Sequence, residues 1–372
     1  MKENEPYRGF EQGPIRPPSE SGSLLIRVTR NCPWNRCTFC SLYKNTTFSL
    51  RPVNHVLKDI DLIHRYVERI KNSEAIYSQT SQNEEMGFHA ALNWVRNGMK
   101  SVFLQDSNSL ILKPDNLVTI LQCLRDTFPE VERITSYARS HTIARISDHD
   151  LDLMAAAGLN RIHVGMESGS DKVLSLVHKG TDKAMHIRAG RKVKQAGIQL
   201  SEYFIPGLGG KVLSRENALE TADALNHINP DFIRMRTLAV PDAVELFKDL
   251  KAGTFEPMGD TVVAEEILLF MESLKGITST ITSDHILNLF QEVEGTLPED
   301  KERMTSVIKR YLSLKREEQM LYQIGRRSGI FSRLDDLSDP RLRRYVERAC
   351  SDLKVTPKNV DRIVAEIMKR FI

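Results

Sequence analysis

Long apolar runs are missing from this chain. No stretch approaches the roughly 20 apolar residues that span a bilayer. The first twenty residues, MKENEPYRGFEQGPIRPPSE, lack the apolar centre of a secretory leader. The expected location is therefore the cytoplasm. Low-complexity tracts and convincing internal repeats are missing too. Cysteine is scarce, with five in 372 residues. So small and odd a set in a reducing compartment is not a disulfide framework. No charge sign dominates the whole, which carries +3, but residues 301–372 hold 18 Lys and Arg against 10 Asp and Glu, a balance of +8. The remainder holds 34 against 39, or −5. A basic end of this kind either meets phosphate, in nucleic acid or a nucleotide-like substrate, or is a solvated helical surface.

What is present is enough for a large core. The chain is 41% hydrophobic and 27% charged, and at about 150 residues per domain its length suits two domains or one barrel with an appendage. Residues 1–22 read as an irregular arm. LLIRVTR (24–30) reads as a strand, VNHVLKDIDLIHRYVERI (53–70) as a helix, and residues 74–97 as polar, then helical around FHAALNWV. From residue 100 the alternation is regular. Strands are expected at 101–105, 131–139, 161–166, 198–205 and 231–240, and helices at 115–128, from Ser147 to Gly158, at 181–197 and at 214–228. Strands alternating with helices imply βαβ units and a parallel sheet. Six strands from residue 24 give an α/β fold, a partial (β/α)6 TIM-like barrel over 23–250. Beyond it VVAEEILLFMESL, SDHILNLFQEV and KERMTSVIKRYLSLK have helical period, so 251–372 reads as a C-terminal helical segment.

Three of the five cysteines, Cys32, Cys37 and Cys40, fall within nine positions, in NCPWNRCTFC, directly after the first expected strand. Three thiolates from one short loop suit three irons of a four-iron cluster and leave the fourth iron without a protein ligand. Zinc is the rival, but a structural zinc site wants four ligands, and no Cys or His follows at finger-like spacing, His55 being the nearest histidine.

The loop resembles that of the radical S-adenosylmethionine (SAM) superfamily. Cys37-Thr38-Phe39-Cys40 matches the family's final C-x-x-C, with an aromatic residue before the last cysteine, although four residues rather than three separate Cys32 from Cys37. GMESGS (165–170) resembles the segment whose Glu and Ser, here Glu167 and Ser168, approach the methionine part of SAM. IPGLGG (205–210) resembles the turn whose glycine, here Gly207, lets backbone lie against adenine. The second strand ends in Gln105-Asp106-Ser107-Asn108 where many members carry Gly-Gly-Glu, so Asp106, with Ser107, becomes the expected acceptor for the SAM ammonium. The resemblance covers about residues 23–245. It implies a [4Fe–4S] cluster on the three cysteines, with SAM on the open iron. It implies reductive cleavage to a 5′-deoxyadenosyl radical that takes a hydrogen from a substrate inside the barrel. It also implies oxygen sensitivity and a low-potential electron donor such as flavodoxin or ferredoxin.

Strand parity supplies the remaining candidates. Tyr137 shares a face with Arg139, His163 with Gly165 and Glu167, Ser201 with Tyr203, and Arg234 with Arg236. Arg139, Tyr203 and Arg236 are placed with SAM. Arg234 and Arg236 together suit a carboxylate or phosphate. His163, Arg234, Asp284, His285 and Asn288 are placed with the substrate, the last three on an expected helix with Ser283 as its N-cap. No residue is singled out as catalytic. Cys123 and Cys350 lie in expected helices, too few for a second cluster, and the arm before residue 23 is too short for a cobalamin domain. The expectation is a minimal single-cluster enzyme near the elongator-type, coproporphyrinogen-oxidase and methylthiotransferase group, acting on an unidentified substrate. The alternative is an iron–sulfur or zinc protein that binds nucleic acid through its basic helices or senses redox state.

Overall fold

A computed structural model describes residues 5–72 and 82–369, so residues 74–81 of the polar stretch lie outside the described residues. The chain divides into two compact units, one drawing on Met1–Asn35, Leu42–Gly165 and Arg188–Leu200, the other on Arg36–Ser41, Met166–Ile187 and Ser201–Ile372.

In the first unit β1 (Leu24–Arg27), β2 (Ser101–Gln105), β3 (Arg133–Ala138) and β4 (Leu159–Glu167) lie in that order, every pair parallel. Leu24 stands opposite Val102, Val102 opposite Ile134, and Tyr137 opposite His163. The helix Val53–Lys71 buries Val56, Ile60, Ile63 and Val67, a stripe at helical spacing. At about 25 cal/mol per Å2 each such side chain contributes roughly 1.5–3 kcal/mol. The helix Asp148–Ala156 begins as expected, with Ser147 Oγ accepting from the Asp150 N–H, and Gly158 beyond its end takes φ +107°. A short antiparallel ribbon, Thr29–Arg30 against Ser49–Leu50, brackets the cysteine loop.

In the second unit β5 (Gln199–Phe204), β6 (Phe232–Met235) and β7 (Thr280–Thr282) pair in parallel, and β8 (Gly295–Thr296) pairs antiparallel to β7. The helix Gly210–Ile228 follows β5, and Asp260–Ser273, Lys301–Ser313, Arg316–Arg327, Pro340–Asp352 and Val360–Met368 make up most of the rest. The α/β class with a mostly parallel set of strands is therefore as expected.

Three expectations are corrected. The region beyond residue 250 is not wholly helical, because the β-branched run Thr280-Ile281-Thr282 continues the sheet beside β6. SDHILNLF is not a helix either; residues 283–290 form a loop. Its carbonyls, which a helix would bond internally, are taken by side chains far along the chain. Arg326 donates to Asn288 and Leu289, Tyr322 also donates to Leu289, and Arg327 donates to Leu287. Ser283 is thus no N-cap. Its hydroxyl donates to the Phe290 carbonyl at 2.6 Å and accepts from Asn288 Nδ2 at 3.0 Å. Strand β6 also stops at Met235, short of the expected 240. Part of the basic excess of the C-terminal region is structural, since Arg326 and Arg327 are buried and Arg327 pairs with Asp260 at 2.5 Å.

Candidate active site

The cysteine loop leaves β1 through Asn31, which adopts φ +67°, a left-handed conformation that Asn tolerates better than most residues. Asp106 fixes this exit. Its Oδ2 accepts from the Asn31 N–H at 2.8 Å and from Arg27 Nε and Nη2 at 3.0 and 2.6 Å. Ser107 Oγ donates to the Asn31 carbonyl at 3.1 Å. Burial pushes the Asp106 carboxyl up, against the pull of Asn31 and Arg27. Gly13 of the N-terminal arm packs so close that a Cβ there would fall 1.8 Å from Asp106 Oδ1. Asp106 and Ser107, expected at the SAM ammonium, are both engaged with the residue that precedes Cys32.

Four residues between Cys32 and Cys37 are accommodated by a second left-handed turn, at Asn35 with φ +47°. The Asn35 N–H points at Cys32 Sγ, 3.4 Å away, and its side-chain amide donates to the Tyr43 carbonyl. Asn31 Nδ2 donates to the Thr47 carbonyl at 2.6 Å, tying the start of the loop to its end. Trp34 lies under the Arg139 guanidinium, 5.0 Å from it.

The segment Arg36–Ser41 has its own anchors in the second unit. The Thr38 N–H donates to Val177 O at 3.0 Å, the Leu246 N–H donates to Thr38 O at 2.9 Å, and the Cys40 N–H donates to Cys37 O at 3.3 Å. Phe39 packs on the cluster of Val173, Val177, Ile205 and Leu208. The Lys179 ammonium stands 5.9 Å from its ring centre and pairs with Glu167 at 2.9 Å. Glu167 itself has φ +66°, and its carbonyl accepts from the Ile205 N–H. Beyond it the turn Ser168-Gly169-Ser170 lies tight against the helix Gly210–Ile228. A Cβ on Gly169 would stand 2.3 Å from the Glu220 carbonyl oxygen. Ser168 Oγ accepts from the Ser170 N–H within that turn.

Gly207 takes φ +87° and faces a cavity of about 310 Å3 lined by Pro206, Leu238, Met258, Val263 and Val364 among others. Its N–H donates to Glu266 Oε1 at 3.0 Å, as does Asn217 Nδ2 at 2.8 Å, while Ser214 donates to Glu266 Oε2. Burial pushes the Glu266 carboxyl up in spite of these donors. Arg234, Arg236, Asp284 and Tyr203 are brought together. Asp284 accepts from both guanidiniums, and Arg236 lies 4.7 Å from the Tyr203 ring centre. Burial opposes ionisation of Asp284, but Arg236 and Arg234 outweigh it and hold the carboxyl below its usual range. His285 is pushed down to about 4 by burial and by Arg236, so it is neutral at pH 7. Asn288 donates to the Met235 carbonyl. His163 is fully buried among Phe103, Tyr137 and Glu20, with Glu20 Oε1 3.7 Å from its Nε2.

The strand and loop patterns pointed to none of Lys179, Glu202 or Glu266. Glu202, 2% exposed on β5, is pushed well above the carboxylate range by burial and by Glu167. Its neighbours in sequence, Ser201 and Tyr203, gave no sign of this because the charge it answers to lies 35 positions away.

None of the five cysteines is in a disulfide, and those of the triplet are partly exposed. Among the described residues no three His, Cys, Asp or Glu side chains are already gathered as a metal site. Three accessible thiols, one receiving an N–H, suit a cluster that takes three thiolates and stabilises them by N–H···S contacts. Residues 26–222, more than half of the chain, match the radical SAM superfamily, and the chain belongs to that family. It is an enzyme of the radical SAM class, and its cofactors are a [4Fe–4S] cluster and SAM. It is 28% identical over 186 residues to a 4′-phospho-dehydrooxetanocin synthase of Priestia megaterium, covering 50% of this chain and 23% of that one. It is 22% identical over 283 residues to a mitochondrial tRNA methylthiotransferase of Rattus norvegicus, covering 72% and 45%. The chain thus spans less than half the length of these curated relatives. Among solved structures, methylornithine synthase aligns over 71% of this chain and 66% of that one, at 14% identity and TM-score 0.44.

Proposed function

We propose that the protein cleaves SAM reductively and abstracts a hydrogen atom from a substrate held inside the barrel, with Cys32, Cys37 and Cys40 as the cluster ligands. The observation that carries this reading is the loop itself, with three partly exposed cysteines outside any disulfide on a segment pinned at Asn31, Thr38 and Leu246. Cys32, Cys37 and Cys40 would hold the cluster, which, reduced, would supply the electron for reductive cleavage of SAM to the 5′-deoxyadenosyl radical. The residues position and shield. Phe39 presents an apolar face beside the cluster, Glu167 offers a carboxylate to the SAM ammonium or ribose, and Ser168 stiffens the turn next to it. The Gly207 turn, held by Glu266, offers adenine a surface without a Cβ. Tyr203 continues that wall, while Arg139, Asp106 and Ser107 steady the Cys32 end of the loop. A low-potential flavodoxin or ferredoxin in the cytoplasm is the proposed electron source.

The test is anaerobic reconstitution with iron and sulfide, reduction, addition of SAM, and chromatography for 5′-deoxyadenosine. Cys37→Ala is expected to lose the cluster and the product, as are the other two loop variants, whereas Cys123→Ala retains both. A Cys37→Ala protein that still binds close to four irons would overturn the ligand assignment.

A further inference from the structure

Two guanidiniums meet one carboxylate at the end of β6. Arg234 Nη1 donates to Asp284 Oδ2 at 2.8 Å, and Arg236 Nη1 donates to Asp284 Oδ1 at 2.7 Å. Arg234 Nε is taken by Ser201 Oγ at 3.1 Å, and Arg236 Nη1 also reaches its neighbour's carbonyl, Met235 O, at 3.0 Å. No acceptor among the described residues meets Nη2 of either arginine. The next residue, His285, adds no charge, because its imidazole is neutral at pH 7, and its Nδ1 has no hydrogen-bond partner among the described residues. Arg327, the further cation felt by His285, is balanced by Asp260. The group thus holds one positive charge more than it balances, in side chains that are 5%, 15% and 25% exposed for Arg234, Arg236 and Asp284.

An uncompensated charge in so dry a place is costly unless something answers it. A guanidinium pair presents parallel N–H donors in the geometry that oxyanions accept. The loop that carries Asp284 and His285 is also tied down on both sides, by Arg326, Arg327 and Tyr322 at the carbonyls of residues 287–289 and by Ser283 to Phe290 and Asn288. The donors are therefore set before any ligand arrives, which lowers the ordering cost of binding.

We infer that Arg234 and Arg236 form the receptor for an oxyanion on the substrate, a phosphate or a carboxylate, with Asp284 as the counter-ion that shares both guanidiniums when the oxyanion is absent. His285 offers the same ligand a neutral ring nitrogen. The inference rests on the proposed enzyme only in calling the ligand a substrate; the anion site itself needs neither cluster nor SAM.

The experiment titrates inorganic phosphate, and separately malonate, into the full chain without cluster or SAM, at constant ionic strength, with calorimetric readout. The expected result is single-site binding of one of the two, weakened by about tenfold or more in Arg236→Gln and strengthened about threefold in Asp284→Asn, which removes the competing negative charge. Binding of phosphate alone assigns a phosphate ester, and binding of malonate alone a carboxylate. If neither anion binds at a single site, or if Arg236→Gln binds as the parent does, the receptor is overturned. Should Arg236→Gln fail to fold, Asp284→Asn decides alone, and unchanged or weaker binding there also overturns it. A chain that binds the anion but yields no 5′-deoxyadenosine retains the site and loses the radical chemistry, so the two failures are told apart.

Discussion

Glu167 combines two features that rarely coincide in one residue, a left-handed backbone and a carboxylate paired with a lysine beside an aromatic ring. Strain of this kind persists where the surroundings over-determine it. Here the Ile205 N–H and Lys179 both hold the residue. Glu167→Gln is expected to weaken SAM binding about tenfold while the cluster still assembles, as read by equilibrium dialysis and the visible spectrum. Unchanged SAM affinity would remove Glu167 from the site. Two other residues set a pH response. Glu20 is buried, which raises its pKa, but His163, Ser23 and Arg133 bring it down to about 2 from 4.5. Its stabilisation is complete above the unfolded value near 4.5 and is lost as pH falls toward 2, on the order of 3 kcal/mol in all. His285, neutral by burial, contributes stability above pH 6.5 that is lost as pH falls through about 4. Glu20→Gln should flatten acid unfolding between pH 4.5 and 2, and His285→Asn should flatten it between pH 6.5 and 4. Melting curves across both windows separate the two, and an unaltered profile in either variant removes that residue from the account.

At the scale of the element, the turn Ser168-Gly169-Ser170 offers the sharpest test. Gly169→Ala places a methyl 2.3 Å from a backbone oxygen that belongs to a helix and cannot step aside. A cost of about 3 kcal/mol, the upper end of the overpacking range, is expected, read as a lower melting temperature. Gly98→Ala, where a Cβ meets open space, carries only its left-handed strain, about 1–2 kcal/mol. Equal or reversed losses would refute the close-approach argument. These elements also show why parts of the fold were legible from sequence and parts were not. The first six strands alternate with amphipathic helices, and the chain's period announces them. β7 and β8 have only three and two residues, too short for a period to register. SDHILNLF has helical spacing yet forms a loop, because the partners of its carbonyls come from Tyr322, Arg326 and Arg327, more than 30 positions away. The cysteine triplet was legible because its chemistry is local. Lys179 and Glu266 were not, since a lysine between Val177 and Gly180, or a glutamate in an apolar helix, looks ordinary until its distant partner is known.

For the whole molecule, the basic C-terminal region reads differently once folded. Its formal excess is +8, yet two of its arginines are buried as supports for the loop that carries Asp284. Breaking the Asp260–Arg327 pair by Asp260→Asn leaves a buried guanidinium short of its counter-ion, and a loss of roughly 3–5 kcal/mol is expected. Calorimetric unfolding measures this, and a change below about 1 kcal/mol would return Arg327 to the ordinary surface class.

The ribbon that brackets the cysteine loop has a mechanical consequence. Thr29–Arg30 against Ser49–Leu50, with the Asn31 amide clipped to Thr47, makes the loop a lasso whose knot is tied by protein alone. The entropy of closing that ring is met when the chain folds, so metal arrives at a noose already drawn. Loss of iron should therefore slacken the noose without untying it. A protease is expected to nick the metal-free protein between residues 42 and 46, beyond the anchored segment Arg36–Ser41, while β1 on one side and the helix Val53–Lys71 on the other stay intact.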